Sequence, residues 1–433
     1  MVTRLHRLSS VAPFLVSLLI LPTCIANGQV STLSATNTSK ESHSDLPLRW
    51  WKGNLHTHSL WSDGDDFPEM IADWYASRGY NFLALSDHNI LSEGQRWMEL
   101  DAIVKRAEPD VLEKYQTRFG ADWVETRGKS GEKDFEVRLK PLDEFGPLLN
   151  RAGKFLMIPG EEISDRAEGK PVHMNATNLQ QLIRPLGGDT VRKTMENNLR
   201  SVLEQEKALG KEILAHLNHP NFGYAVTAED LGYVIQERFF EVYNGHPAVN
   251  QLGDKEHMSI EKMWDTANAI RVCLLDAEPL LGIATDDSHE YHGRPGSTPG
   301  RGWVMVQSRF LTPEHLIKAM KRGDFYASSG VSLSKIQWDA DQRRLSLQIV
   351  EQEGIAFVTE FVGIREAKSG ELPAPEDIGV VLGTSDSLTP SFECPDGIRL
   401  LRARVRSTEA HPNPSLKNQV CEAWTQPVVI PMK

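Results

Sequence analysis

The sequence predicts an α/β fold in which a parallel sheet closes into a barrel, followed by a small β-rich, sandwich-like domain. In residues 48–330, short apolar runs alternate with helical patterns, and polar motifs follow those runs. After residue 330 apolar residues alternate with period two, as in the run Leu-Ser-Leu-Gln-Ile at 345–349. With 433 residues and a hydrophobic share of 40%, the chain is long enough for both domains.

The first residues, 1–28, are predicted to be a secretory signal peptide. Arg4 and Arg7 precede an apolar run at 11–21, and small residues follow it. An uncleaved anchor or a misplaced start would be the alternative. Residues 29–47 are rich in Ser, Thr and Asn, which indicates a flexible linker. We therefore expect an exported protein, periplasmic or extracellular, with no transmembrane span after signal removal.

The region 48–330 is predicted to supply the barrel. Its helices are expected at 68–78, where Pro68 lies in the first turn and Gly79 ends the helix, and at about 190–209 and 259–275. Residues from about 100 to 150 are charged and lack strand spacing, so we expect a helical insertion there. The strands are expected at 81–86, 155–158, 172–177, 212–217, 239–243, 280–285 and 303–307.

The β-rich domain is expected to span 331–433 and contains two cysteines. In an oxidising compartment Cys394 and Cys421 could form a disulfide, but two buried free thiols fit equally well. None of the cysteines has the spacing of a zinc site. A metal site in this chain would therefore be built from His, Asp and Glu.

The formal charge of −12 bears on the kind of partner. Nucleic acids and anionic membranes select basic surfaces, so neither is expected to be a main partner. A small anionic substrate remains compatible, because bound metal ions can reverse the local field inside a cleft. The sequence identifies no partner protein.

Potential metal ligands occur in short segments just after strands or in loops. In an extended segment residues i and i+2 point the same way, so His56 and His58 can hold one ion together. Asp287 and His289 have the same spacing, and Glu162 could bridge two cations about 3.5–4 Å apart. Imidazoles with carboxylates suit Zn²⁺, Mn²⁺ or Fe²⁺. The segments are 54–58, 62–64, 86–88, 160–163, 172–175, 218–220 and 285–289.

Each segment alone is a weak signal. A single His-x-His is more often two surface or hydrogen-bonded histidines than a chelate, and Ser-Asp-Gly is an ordinary turn. Six of the 14 histidines nevertheless fall in these short segments. The set as a whole therefore predicts a metal centre.

The ordered set resembles the PHP (polymerase and histidinol phosphatase) superfamily over about residues 51–330. The resemblance implies a distorted parallel (β/α) barrel of seven strands with two or three divalent transition-metal ions at its mouth. It implies one ion held by His56, His58, Glu162 and Asp287, a second held by Glu162, His173 and His219, and a third held by Asp63, His88 and His289.

Adjacent acids leave two of these positions open. Spacing from Gly160 favours Glu162 over Glu161, and the Asp-x-His spacing favours Asp287 over Asp286. Asp87, which precedes a proposed ligand, is expected to orient ligands rather than bind metal. His216 could have the same role or be an ordinary buried histidine.

The resemblance implies a hydrolase that uses a metal-activated water on a small ester, with a phosphate ester favoured. Asp287 and His219 are expected to act through ligation, and Arg301 could hold a phosphate or carboxylate or be a solvated loop charge. The alternatives are a carboxylic, carbamate or phosphodiester hydrolase, or a secreted binding protein with an inactive barrel. The signal peptide, the β-rich tail and the motifs at 325–328 and 423–425 most resemble the CehA/McbA-type members.

Overall fold

The computed structural model describes residues 46–368 and 370–431, so the predicted signal peptide and most of the predicted linker lie outside the described residues. The strands are β1 (Arg49–Asn54), β2 (Phe82–Leu85), β3 (Arg96–Glu99), β4 (Thr126–Arg127), β5 (Glu136–Leu139), β6 (Leu156–Ala167), β7 (Lys170–Thr177), β8 (Leu214–Leu217), β9 (Phe239–Asn244), β10 (Leu281–Thr285), β11 (Trp303–Ser308), β12 (Phe325–Ser328), β13 (Leu333–Asp339), β14 (Arg344–Ile349), β15 (Phe357–Arg365), β16 (Ile378–Ser385), β17 (Ser391–Glu393), β18 (Ile398–Ala410), β19 (Val420–Thr425) and β20 (Val428–Val429).

The helices connect and cover these strands. They are α1 (Pro68–Ser77), α2 (Leu100–Arg106), α3 (Val111–Phe119), α4 (Leu142–Leu149), α5 (Val191–Leu209), α6 (Ala228–Tyr233), α7 (Ile260–Ala269) and α8 (Pro313–Lys321). Each strand expected between 81 and 307 is present, as β2 and β6 to β11, although β6 continues well past its predicted end. In the described chain, no helix has both the length and the apolar character needed to cross a membrane.

One mixed sheet of 14 strands runs through most of the described chain. Strands β1, β2 and β6 pair in parallel, as do β8, β9 and β10. In contrast, β7 is antiparallel to both of its neighbours, and β11 is antiparallel to β1. The path of hydrogen-bonded neighbours is β10-β9-β8-β7-β6-β2-β1-β11-β12-β19-β18-β15-β16, with β20 beside β18.

The α/β class is therefore confirmed, but the expected parallel seven-stranded barrel is not what the structure shows, because the sheet is mixed and not closed. The antiparallel direction of β7 relative to β6 has a local cause. Glu168 and Gly169 have φ angles of 53° and 76°, and Ala167 pairs with Lys170. A tight turn of this kind joins two antiparallel strands into a hairpin.

The carboxyl ends of β1 and β10 nevertheless meet beyond the two strands. Thr57 and Ser288 form an isolated parallel bridge. The N–H of His58 donates to the Ser288 carbonyl at 2.9 Å, and the N–H of Asp287 donates to the His56 carbonyl at 3.0 Å. Two of the predicted metal-binding segments are thus held side by side by backbone hydrogen bonds.

The sheet curls around a core that its parallel strands share with β11 and α8. This cluster of buried side chains contains residues from five of those strands, namely Phe82, Ile158, Leu214, Phe239 and Ile283. A second cluster packs α5, α6 and α7 on the outer face of β7 to β9. Burial of apolar surface on both faces stabilises the strands that present the polar motifs at their ends.

The insertion at about 100–150 differs in part from the expectation. It contains the helices α2, α3 and α4, but β3, β5 and β4 also form a small antiparallel sheet. These strands are two to four residues long and rich in charge, and only β5 alternates polar with apolar residues, over four positions. Patterns this short are weak signals for a strand.

The C-terminal strands form two sheets that share a core. Strands β13, β14 and β17 form one sheet, and β15, β16, β18 and β19 continue the large sheet through the pairing of β12 with β19. Side chains such as Leu347, Phe361 and Val405 fill the space between them. Cys394 and Cys421 are both buried free thiols, so the structure has no disulfide between them.

Candidate metal centre

Two segments after strands supply the innermost histidines and an acid. His56 and His58 are fully buried just beyond β1. Asp287, just beyond β10, places its Oδ1 atom 3.1 Å from Nε2 of His56 and 3.2 Å from Nε2 of His58. The His-x-His pair therefore faces one carboxylate, as its spacing predicts.

Glu162 lies at the centre of the cluster because its two oxygens face different histidines. Its Oε2 atom is 3.3 Å from Nε2 of both His56 and His58, and 2.9 Å from Nδ1 of His88. Its Oε1 atom is 2.9 Å from Nδ1 of His173 and 3.5 Å from Nε2 of His219. A carboxylate in this position can bridge two cations.

A third group lies at the outer, solvent-facing side. Oδ2 of Asp63 is 3.4 Å from Nε2 of His88, and its Oδ1 is 3.5 Å from Nε2 of His289 and 3.7 Å from Nδ1 of His58. The Asp63 side chain is 53% exposed and that of His88 is 28% exposed. This side of the cluster is therefore the one that solvent and a substrate can reach.

The ring nitrogens and carboxylate oxygens of the cluster are arranged to bind cations rather than to form hydrogen bonds with one another. Nε2 of His56, Nε2 of His58, Oε2 of Glu162 and Nδ1 of His173 are buried atoms that make no hydrogen bond in the described structure. Buried polar atoms are normally hydrogen-bonded, so a convergence of unpaired ones requires another partner. Several groups of His, Asp and Glu in this cluster have donor atoms within 4.8 Å of one another, as a shared cation requires.

The surrounding histidines keep the central acids ionised. Burial alone would raise the pKa of Glu162, but His88, His56 and His173 hold that pKa well below its usual value. Burial likewise opposes ionisation of Asp287, while His56, His58 and His289 hold its pKa low. Both carboxylates are therefore available as anionic ligands.

The adjacent acids lie elsewhere. Glu161 accepts the N–H of Ile183 at 3.0 Å, outside the cluster. Asp286 accepts the Tyr75 hydroxyl at 2.6 Å and the N–H groups of Gly300, Arg301 and Gly302 at 2.6–2.9 Å. The structure thus places Glu162 and Asp287 in the cluster, and Asp286 serves to anchor a loop.

Arg301, one of the predicted catalytic residues, makes its described hydrogen bonds to loops and not to the cluster, and its catalytic role stays a prediction. Its guanidinium donates to the carbonyls of Gly245 and Gly296 at 2.7 Å and of Asn413 at 3.2 Å. The side chain is buried with its donors committed to backbone carbonyls. Loop conformation decides where such a guanidinium points, and the sequence motif contained no information on it.

The expected orienting role of Asp87 has a clear geometric form. Its carboxylate accepts the N–H and the hydroxyl of Ser59 at 2.8 Å and the Ser62 hydroxyl at 2.6 Å. It therefore shapes the loop that carries Asp63. His216, whose role the sequence left open, is fully buried, and neither of its ring nitrogens makes a hydrogen bond among the described residues. Its Nε2 atom lies 3.5 Å from Oε1 of Glu241.

Several polar side chains contact the proposed ligands, and one of them, Glu241, was not identified from sequence. Asn218 donates to Oε1 of Glu162 at 2.9 Å. Asn244 donates to Oδ2 of Asp287 at 3.1 Å and to Oε2 of Glu241 at 2.7 Å. Burial would raise the pKa of Glu241, yet His56 and His216 hold it below its ordinary value. The available signal for Glu241 was a single acid inside the apolar strand β9.

Comparisons with known proteins add little to this geometry. No protein-family model and no curated protein matches the chain. It aligns with a two-domain protein from Bacteroides vulgatus that contains a predicted PHP-like metal-dependent phosphoesterase, at 15% identity over 88% of this chain and 96% of that chain, with a TM-score of 0.38.

Two further solved structures align less extensively. One is a provisionally named metal-dependent phosphoesterase from Bifidobacterium adolescentis, at 14% identity over 57% of this chain and 90% of that chain, with a TM-score of 0.29. The other is PsfC from Pseudomonas syringae, at 13% identity over 63% of this chain and 88% of that chain, with a TM-score of 0.33. At such low scores these alignments carry no argument, and any functional conclusion depends on the site itself.

Proposed function

We propose that this protein is a metal-dependent hydrolase of the PHP type that cleaves a small anionic ester, with a phosphate ester as the leading substrate class. The observation that carries the proposal is the position of Glu162. Its two oxygens face two sets of histidines, with Oε2 toward His56 and His58 and Oε1 toward His173. A shared carboxylate of this kind is what hydrolases with paired metal ions use to keep the ions close together.

The residues that would hold the ions divide into an inner and an outer set. Bound Zn²⁺, Mn²⁺ or Fe²⁺ would supply Lewis acidity and a water of lowered pKa. The outer set is defined here as Asp63 with the two histidines whose ring nitrogens lie within 3.5 Å of its carboxylate. The inner set is the remaining six residues, which would hold ions through Glu162 and Asp287. The inner set is His56, His58, Glu162, His173, His219 and Asp287, and the outer set is Asp63, His88 and His289.

The chain itself offers a donor for the substrate at the mouth of the site. His246 is partly buried, and its ring centroid lies 5.8 Å from those of His289 and Phe222. Its Nδ1 atom accepts the N–H of Ala248 at 3.1 Å, so the neutral ring carries its hydrogen on Nε2. We expect this N–H to donate to an anionic oxygen of the substrate.

Export belongs to the same proposal. The signal-like segment at 1–28 supports a periplasmic or extracellular location, and the joined β-rich tail supports the CehA/McbA-type subgroup. Both inferences depend on sequence. Reporter fusions to residues 1–28 would test the first, because an export-competent segment must deliver the reporter outside the cytoplasm.

A substrate panel with one chromophore tests the proposed reaction. An aryl phosphate monoester, a bis-aryl phosphodiester and an aryl acetate all release the same phenolate, so their rates are directly comparable. After reconstitution with Mn²⁺ or Zn²⁺, we expect at least two bound ions per chain and fastest cleavage of the monoester. Fewer than one bound ion would reject the metal centre, and faster cleavage of the diester or acetate would replace the leading substrate class.

A further inference from the structure

Glu241 lies outside the proposed ligand sets, yet its carboxylate directly contacts two members of the inner set, His56 and His219. It is fully buried in β9. Its Oε1 atom lies 2.7 Å from Nδ1 of His56 and accepts the hydroxyl of Thr285 at 2.7 Å. Its Oε2 atom accepts the backbone N–H of His219 and the side-chain amide of Asn244, both at 2.7 Å.

These four contacts require a carboxylate. An ionised carboxylate only accepts hydrogen bonds and has room for about four of them, which matches the donors around Glu241. A glutamine of the same shape would turn one of its ends into a donor that faces other donors. The site is therefore built for Glu and not for an isosteric amide.

The contact with His56 determines which ring nitrogen is free for a metal. Because a carboxylate can only accept, Nδ1 of His56 carries a hydrogen, and in the neutral ring the Nε2 lone pair is then free for a metal. That Nε2 atom lies 3.1 Å from Oδ1 of Asp287 and 3.3 Å from Oε2 of Glu162. Glu241 thus holds His56 in the tautomer that can bind an ion among these groups.

The contacts at Oε2 hold two further ligands in unusual backbone conformations. His219 and Asp287 have φ angles of 23° and 49°, a region that residues other than glycine rarely adopt. Glu241 binds the N–H of His219 directly. It reaches Asp287 through Asn244, whose amide also donates to Oδ2 of Asp287 at 3.1 Å.

We propose that Glu241 is a positioning residue that sets the metal affinity of the inner set by orienting His56, His219 and Asp287 together. This inference rests on the proposed metal centre. The described hydrogen bonds and ion pairs of Asp63, His88 and His289 do not include Glu241, so the outer set should be insensitive to it. The affinity of one part of the cluster would then depend on a carboxylate that lies outside both ligand sets.

The test compares two isosteric substitutions of fully buried glutamates. Glu241→Gln removes the acceptor for the inner set, whereas Glu237→Gln changes a glutamate that lies just before β9 and accepts the N–H of Phe239 instead. Each variant is also made in an Asp63→Asn background, which disables the outer set. Metal-free full-length proteins are titrated with Co²⁺, with visible absorption and bound cobalt as readouts.

In the Asp63→Asn background we expect Glu241→Gln to weaken Co²⁺ binding by roughly 10- to 100-fold and to alter the visible spectrum. Glu237→Gln should bind as the parent does. Equal binding by Glu241→Gln and its parent would overturn the inference, as would equal weakening by Glu237→Gln. If the unmodified protein bound no metal, the proposed function itself would fail, which is a separate result.

A second variant covers the case in which Glu241→Gln does not fold, as judged by circular dichroism. Asn244→Ala leaves Glu241 and the ligands in place but removes the amide that joins Glu241 to Asp287. We expect a several-fold loss of Co²⁺ affinity in the Asp63→Asn background. Unchanged affinity would overturn the proposed link.

Discussion

Glu161 and Glu162 are neighbours in β6, yet their carboxylates have entirely different surroundings. Glu162 faces the histidines of the cluster, with Oε1 2.9 Å from Nδ1 of His173. Glu161 instead accepts the N–H of Ile183. Successive side chains of a strand point to opposite faces of the sheet, so only one of two adjacent acids can enter the site.

This arrangement predicts opposite outcomes for two conservative variants. Glu162→Gln removes the shared anionic ligand and should lower kcat/KM by roughly 100-fold or more. Substituting even a residue that only hydrogen-bonds a metal ligand lowers metal affinity or activity by roughly 10- to 100-fold. Burial raises the pKa of Glu161 to about 8, so Glu161 is largely uncharged near neutral pH and Glu161→Gln should preserve metal content and rate. Elemental analysis and the aryl phosphate assay measure both, and a large loss in Glu161→Gln alone would refute the assignment.

Substitutions of Asp286 and Asp287 should likewise have different effects, with the first lowering stability and the second lowering metal binding. Asp286→Asn leaves an amide facing the N–H groups of Gly300, Arg301 and Gly302, which should lower the free energy of unfolding by about 1–3 kcal/mol. Asp287→Asn should instead lose metal while retaining the fold. Urea unfolding in the presence of a chelator reports the first effect and metal analysis the second. A stable, metal-free Asp286→Asn protein would reverse the two roles.

Arg301→Lys tests whether this arginine contacts substrate or supports the loop. Lysine keeps the charge but cannot donate to the carbonyls of Gly245, Gly296 and Asn413 together, because it lacks the planar fork of arginine. We expect the free energy of unfolding to fall by about 2 kcal/mol and the KM of the folded enzyme to be unchanged. A raised KM with unchanged stability would instead support the predicted role of Arg301 in binding the substrate.

The sequence predicted those features of the fold that depend on local periodicity. Strands β2 and β6 to β11 were detected because their apolar runs are short and bounded by turn residues, whereas β1, which precedes His56, was not among the predicted strands. The direction of β7 was not predicted, because the alternation of Val172, Met174 and Ala176 with polar residues indicates a strand but does not give the direction of its neighbours. The turn at Glu168 and Gly169 sets that direction, and its sequence is not one of the strongest hairpin signals.

The site was predictable to the extent that ligands come in short motifs. His56 and His58 could be selected by their spacing, and Glu162 and Asp287 could be preferred over their neighbours. Glu241 could not, because its partners come from strands far apart in the chain and only the folded sheet brings them together. Long-range hydrogen bonds of this kind leave no local pattern in a single sequence.

The pH dependence of stability provides a test of the core that is independent of the metal centre. Glu237 is fully buried, and one of its carboxylate oxygens makes no hydrogen bond in the described structure. Burial raises its pKa to about 7, against smaller lowering contributions from the N–H of Phe239 and from Arg271. An unfolded glutamate titrates near about 4.3. Between these values the folded protein holds a proton that the unfolded chain has released.

The free energy of unfolding should therefore fall as pH rises from about 4.3 to about 7, and this contribution should be constant above that window. Glu237→Gln has no proton to lose, so its stability relative to the wild type should grow by roughly 3 kcal/mol across the window. Urea unfolding of both proteins with chelator present, at several pH values, measures this difference and cancels the titration of the cluster histidines. A difference that stays flat with pH would show that Glu237 is ionised in the folded protein, stabilised by the nearby Arg271.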